Sequence, residues 1–152
     1  MSDLFPNNKI KSGSPLNLNI TIIYSEFNSE IVNNLLDETE KRLIEISKPK
    51  LTKISVPGAY EIPFAVKKII NLDKSDAIIC LGAIIRGETT HYELISENVF
   101  RSISEINEMG IIPVINGILT TENEDQAKKR IINGNYFAES CLSMIKLNKD
   151  LA

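Results

Sequence analysis

The chain has 152 residues, 43% of them hydrophobic and 24% charged, the make-up of a single folded domain with a real core, which excludes a disordered polymer. A formal net charge of −3 argues against a broad nucleic-acid-binding or anionic-membrane-binding surface, while leaving room for a local basic patch. The two cysteines, Cys80 and Cys141, are far apart, lack metal-ligand spacing and sit among apolar residues, so they read as buried free thiols.

In chain order, residues 1–15 read as an N-terminal arm punctuated by Pro6, Gly13 and Pro15, and residues 16–152 as one domain. The arm lacks the apolar centre of a signal peptide, and no apolar run is long enough to span a membrane, so a cytoplasmic location is the default expectation. Leu16, Leu18, Ile20 and Ile22 alternate with Asn17, Asn19 and Thr21, which is the period of a strand. Asn28 or Ser29 can cap a helix whose apolar face is Val32, Leu35, Leu36, Leu43 and Ile46. A short strand from about Leu51 to Val56 ends at Pro57-Gly58, and Pro63 suits the first turn of a helix reaching about residue 72. Ala77 to Ile85 is almost continuously apolar, as in a strand buried on both faces. Thr90 and Glu93 have capping-box spacing ahead of a helical face of Ile95, Val99, Ile103 and Ile106, closed by Gly110. Ile111 to Ile115 is the expected fourth strand, placed at or near an edge because Pro113 cannot donate to a ladder. Thr121 and Glu124 have the spacing of a second capping box; that helix should end near Asn133-Gly134, with a last helix from about Asn135.

Strands alternating with helices predict an α/β fold with a parallel sheet and right-handed crossovers. In such folds the ligand crevice lies beyond the carboxyl ends of the strands. Loops 24–28, 57–61, 85–90 and 116–121 are therefore the places to look for chemistry.

Phe27, at a strand exit, could stack on a flat ring, although alone it reads more readily as a core residue under the first helix. Around Tyr60, Gly58 permits an unusual backbone angle and Pro57 stiffens the loop, while Glu61 suits a helix start whatever its function. In Arg86-Gly87-Glu88-Thr89-Thr90-His91, Gly87 would let consecutive amides point outward at a helix N-terminus, an anion site of the kind phosphates use. It is not a Walker loop, and the Glu88 side chain would have to point away while its amide contributes. His91 is the only histidine. In a first helical turn the dipole disfavours imidazolium, and a neutral imidazole beside a phosphate-bearing carbonyl compound could move protons. An exposed first-turn histidine with no chemical role fits the spacing equally well. Arg130, closing Lys128-Lys129-Arg130, could grip a phosphate through two hydrogen bonds or simply complement a helix C-terminus. From residues alone, these features indicate a domain that binds a small phosphorylated ligand and leave the reaction open.

Three blocks go further: Val56-Pro57-Gly58-Ala59-Tyr60-Glu61-Ile62-Pro63, then Gly82-Ala83-Ile84-Ile85-Arg86-Gly87-Glu88-Thr89-Thr90-His91-Tyr92, then Pro113 to Thr121 with Gln126-Ala127 and Arg130. With them the chain resembles the lumazine synthase family from about Leu18 to Cys141. The resemblance implies a flavodoxin-like three-layer sandwich with a four-stranded parallel sheet. It implies condensation of 5-amino-6-ribitylaminouracil with 3,4-dihydroxy-2-butanone 4-phosphate, through imine formation, phosphate elimination and ring closure, to 6,7-dimethyl-8-ribityllumazine. No metal and no organic cofactor are implied. Phe27 would stack on the pyrimidine; Ala59, Tyr60 and Glu61 would hold its ribityl side; Ala83, Ile84 and Ile85 would line its pocket through backbone groups. Gly87, Glu88 and Thr89 would bind phosphate, Arg130 would pair with it, and His91 would shuttle protons. Asn116 would contact the substrate, often from a neighbouring subunit. The implied assembly is a homopentamer or a 60-subunit shell with sites between subunits, with the arm adding a strand to a neighbour and riboflavin synthase as a potential partner.

The chain also departs from the family pattern. Glu26 stands where the family usually has arginine, the segment Ile131 to Phe137 is about two residues short, and Tyr136 replaces a ligand-facing lysine. Tyrosine donates a hydrogen bond but carries no positive charge at neutral pH. These departures motivate an alternative, a flavin- or lumazine-binding shell protein without turnover. A phosphorelay receiver on a similar fold ranks last, because the strand ends lack the clustered acids that would hold magnesium.

Overall fold

The computed structural model describes residues 17–152; the expected arm and the contribution of Leu16 to the first strand lie outside them. Four strands, β1 (Asn19–Ser25), β2 (Lys50–Val56), β3 (Ala77–Ile85) and β4 (Val114–Thr121), form one parallel sheet in the order β2-β1-β3-β4. Five helices connect and cover them: α1 (Ser29–Ile46), α2 (Ile62–Leu72), α3 (His91–Glu108), α4 (Glu124–Lys129) and α5 (Gly134–Asp150). This is the expected three-layer α/β sandwich.

The layers follow from two apolar clusters, one on each face of the sheet. On one face Ile20, Ile22, Ile79 and Leu81 pack against Leu35 and Leu43 of α1 and Leu142 and Ile145 of α5. On the other, Ile23, Ile78 and Cys80 pack against Ile62 and Val66 of α2 and Val99 and Ile103 of α3. With both faces covered, the near-continuous hydrophobic run of β3 is what a central parallel strand requires. The same burial breaks the alternation expected for β1: Thr21 is buried, and its hydroxyl pairs with the Ser75 hydroxyl at 2.6 Å.

Several local expectations are corrected. Asn28 does not cap α1 with its side chain; it sits in the left-handed region (φ 57°) and donates from Nδ2 to the Ala83 carbonyl on β3 at 2.8 Å. Thr90 precedes α3 but makes no side-chain cap, and the Glu93 carboxylate, the other half of the expected box, is engaged by Arg86. The second capping box lies two residues further on than expected. Asn123 caps α4 by accepting from the Gln126 amide at 2.9 Å, and Gln126 Oε1 accepts from the Glu122 amide at 2.9 Å. Thr121 is the last residue of a strand that begins at Val114, so the whole of the expected loop 116–121 is strand. β4 is indeed an edge strand, but Pro113 precedes it, its carbonyl accepting from the Ile78 amide at 3.0 Å. Asn116 protects that edge by accepting from the Ile118 amide at 3.1 Å.

Candidate active site

β1 leads to β2 on one side of the sheet while β3 lies on its other side, so the topological switch point falls between the carboxyl ends of β1 and β3. A cleft of about 500 Å³ opens there. The sequence supplies its walls from four connections, each pinned by local bonds.

After β1, the Glu26 amide donates to the Val56 carbonyl at 2.8 Å and the Phe27 amide to the Pro57 carbonyl at 3.1 Å. The exits of β1 and β2 are thereby stitched together. Phe27 is left 72% exposed on the cleft wall, so it is not the core residue that its apolarity alone suggested. Asn28, tied to Ala83, joins the same wall to the end of β3. After β2, Gly58 is extended (φ −150°), so no unusual angle is needed there. Instead, a Cβ at Gly58 would come within 3.2 Å of the Glu61 carboxylate. Residues Ala59–Glu61 form one 3-10 turn, closed by the Glu61 amide on the Gly58 carbonyl at 3.2 Å. Ala59 and Ile62 are buried and anchor the turn, which presents Tyr60, 65% exposed, and Glu61 to the cleft.

Ala83, Ile84 and Ile85 form the floor, and the Ala83 carbonyl is already engaged by Asn28. Gly87, Thr89 and His91 complete the rim, with Tyr92 and Ile95 on the first turns of α3. Gly87 does not take a positive φ; a Cβ there would meet nothing within 4 Å, so its side is open space. Among the described residues, the backbone amides of Gly87, Glu88, Thr89 and Thr90 find no acceptor, whereas the His91 amide donates to the Thr89 hydroxyl at 3.3 Å. Unpaired amides ahead of a long helix are suited to an anion.

Of the thirteen residues singled out from the sequence, the fold gathers Phe27, Ala59, Tyr60, Glu61, Ala83, Ile84, Ile85, Gly87, Thr89 and His91 on this cleft. Glu88 lies in the same loop but does not line it. Asn116 and Arg130 are elsewhere. Asn116 pairs with Cys80 in mid-strand and faces a second depression, about 420 Å³, shared with Phe100, Tyr136 and Phe137. Arg130 follows α4 and donates from Nη1 to the Gln126 carbonyl at 3.1 Å, the helix-end role that was one of its two readings. Among the described residues no lysine or arginine lines the cleft. Sequence reasoning missed Asn28 and Tyr92 as wall residues. The first was read only as a cap, and the second stood in a matched block without an assigned role. Among the described residues no three His, Cys, Asp or Glu side chains gather to hold a metal ion, and no helix is long and apolar enough to cross a membrane.

A family model described as 6,7-dimethyl-8-ribityllumazine synthase matches residues 17–149. A protein of Buchnera aphidicola subsp. Schizaphis graminum (strain Sg) named 6,7-dimethyl-8-ribityllumazine synthase is 40% identical over 153 aligned positions, spanning 95% of this chain and 96% of the relative.

Proposed function

The chain belongs to the 6,7-dimethyl-8-ribityllumazine synthase family, and we propose that its reaction takes place in the switch-point cleft, completed by a neighbouring copy of the chain. It is a transferase of riboflavin biosynthesis that condenses 5-amino-6-ribitylaminouracil with 3,4-dihydroxy-2-butanone 4-phosphate to 6,7-dimethyl-8-ribityllumazine. One observation carries the placement. The cleft combines an exposed aromatic ring, an apolar floor and unpaired amides, yet among the described residues has no cation of its own for a phosphate.

In this reading Phe27 stacks on the pyrimidine and Ala59, Tyr60 and Glu61 flank its ribityl chain. Ala83, Ile84 and Ile85 form the pocket floor. The amides around Gly87, Glu88 and Thr89 hold the phosphate, and His91, at the end of that loop, moves protons between the two bound reactants. Holding two reactive small molecules side by side supplies much of the acceleration. Arg130 and Asn116 come from the neighbour, where a guanidinium offsets the phosphate charge that amides alone share.

A homo-oligomer, pentamer or larger shell, is supported by large apolar side chains left exposed on the single chain, among them Phe64, Leu72, Leu94, Met109 and Ile132. Residues 16–152 serve as one catalytic domain in the cytoplasm, with residues 1–15 as an arm toward a neighbour and riboflavin synthase as the consumer of product.

Mixing the protein with both substrates and following lumazine absorbance tests the activity; no product where a related enzyme turns over rejects it. Arg130→Ala is expected to raise KM for the phosphorylated ketone at least tenfold, roughly the worth of a charge-assisted pair, with little change for the pyrimidine. Equal losses for both substrates would contradict the phosphate role.

A further inference from the structure

Resting on the phosphate reading of loop 87–90, we propose that Arg86 is a positioning residue that clasps this loop into the shape in which its amides receive an anion. Arg86 is the residue just before the loop, and Tyr92 and Glu93 lie just after it, on the first turn of α3. The guanidinium bridges the two ends. Nη1 donates to the Glu93 carboxylate, and Cζ lies 4.5 Å from the centre of the Tyr92 ring. Nε donates to Glu122 at 2.6 Å, and the Arg86 amide donates to the Thr121 carbonyl at 2.9 Å. One side chain therefore ties the end of β3, the start of α3 and the β4–α4 connection together.

The loop has little else to shape it. A Cβ on Gly87 would meet nothing within 4 Å, and the bonds its residues give are two long ones at the helix end, the His91 amide to the Thr89 hydroxyl at 3.3 Å and the Leu94 amide to the Thr90 carbonyl at 3.3 Å. Its form must be imposed from its ends. Arg86 does not itself serve as the anion's partner: it is outside the cleft lining, and two carboxylates already offset its charge. The hydrogen bond from Arg86 holds the Glu93 carboxyl below the usual carboxylate range, so both partners are charged at neutral pH. The stack also holds Tyr92, a cleft wall, in place. Exposed ion pairs of this kind add little to global stability, so losing the clasp should register at the site rather than in the fold. Lysine cannot replace it, since a point charge does not fork to two carboxylates and lie flat on a ring.

The test compares Arg86→Met, Arg86→Lys and Glu93→Gln with Arg130→Ala in the full-length, assembled enzyme. It reads KM for each substrate, inhibition by inorganic phosphate, and Tm. Arg86→Met should raise KM for the phosphorylated ketone and the inhibition constant of phosphate about tenfold, the order expected of misplaced donors, with the pyrimidine KM and Tm nearly unchanged. Arg86→Lys should recover little of this, and Glu93→Gln should move the same constants less. Unchanged constants in Arg86→Met, equal changes for both substrates, or full recovery by lysine overturn the clasp. If Arg130→Ala raises the phosphate constants and Arg86→Met does not, the clasp alone fails; if neither does, the phosphate reading falls with it.

Discussion

Phe27 stands in water at the exit of β1, held there by its own amide on the Pro57 carbonyl rather than by packing. Truncating an exposed ring removes few contacts, so Phe27→Ala should change unfolding free energy by no more than about 0.5 kcal/mol. The same change should weaken pyrimidine binding several-fold, since an aromatic stack adds about 0.5–1.5 kcal/mol beyond the area it covers. Urea unfolding beside a binding titration checks both; a large stability loss with unaltered binding would return Phe27 to a structural role. The thiols carry a second consequence at this scale. Burial pushes Cys80 from 9.0 up to about 12, and burial, with a smaller contribution from Asp76, pushes Cys141 up as well. Below pH 9 both states keep the proton. Above it the unfolded thiol ionises while native Cys80 does not, so the unfolded state binds fewer protons and stability falls as pH rises toward 12. Between pH 8 and 10 the wild type should lose about 1 kcal/mol that Cys80→Ala does not lose. Equal losses in denaturant titrations of the two would contradict this.

Two elements meet closely where α5 begins. A Cβ on Gly134 would lie 2.8 Å from Thr39 Oγ1 and 2.9 Å from Glu38 Cβ on α1. Gly134→Ala gains helix propensity of roughly 1 kcal/mol but forces α1 and α5 apart, a strain of about 1–3 kcal/mol. The net expectation is destabilisation by up to about 2 kcal/mol in urea unfolding, and a stabilised variant would refute the close approach. Gly134 looked like a helix terminator, because a glycine that opens a close contact and one that ends a helix look alike without the partner helix. The same holds for the α4 cap. Thr121 and Asn123 are both acceptable cap residues, and the choice was made by how far β4 pairs along β3, from Val114 to Thr121. Long periodic segments escaped this ambiguity: the buried run of β3 and the apolar faces of α1 and α3 were legible, because burial on one or both faces dictates their pattern.

For the whole molecule, the position of the cleft was also legible, since strand–helix alternation alone places ligands beyond the carboxyl ends of the strands. Ten of the thirteen anticipated residues meet there because they sit on the connections that converge on it. Arg130 and Asn116 do not join them, and no spacing within one chain could reveal a site divided between two. That division is the central claim, and subunit mixing tests it most directly. His91→Ala and Arg130→Ala subunits, each with little activity alone when the ketone is held near the wild-type KM or below, are unfolded, combined in equal amounts, reassembled and assayed under that condition. In a symmetric ring about a quarter of the shared sites then receive an intact His91 from one subunit and an intact Arg130 from the next. Recovery to about a quarter of wild-type turnover is predicted; turnover no higher than that of the separate variants would contradict the shared cleft.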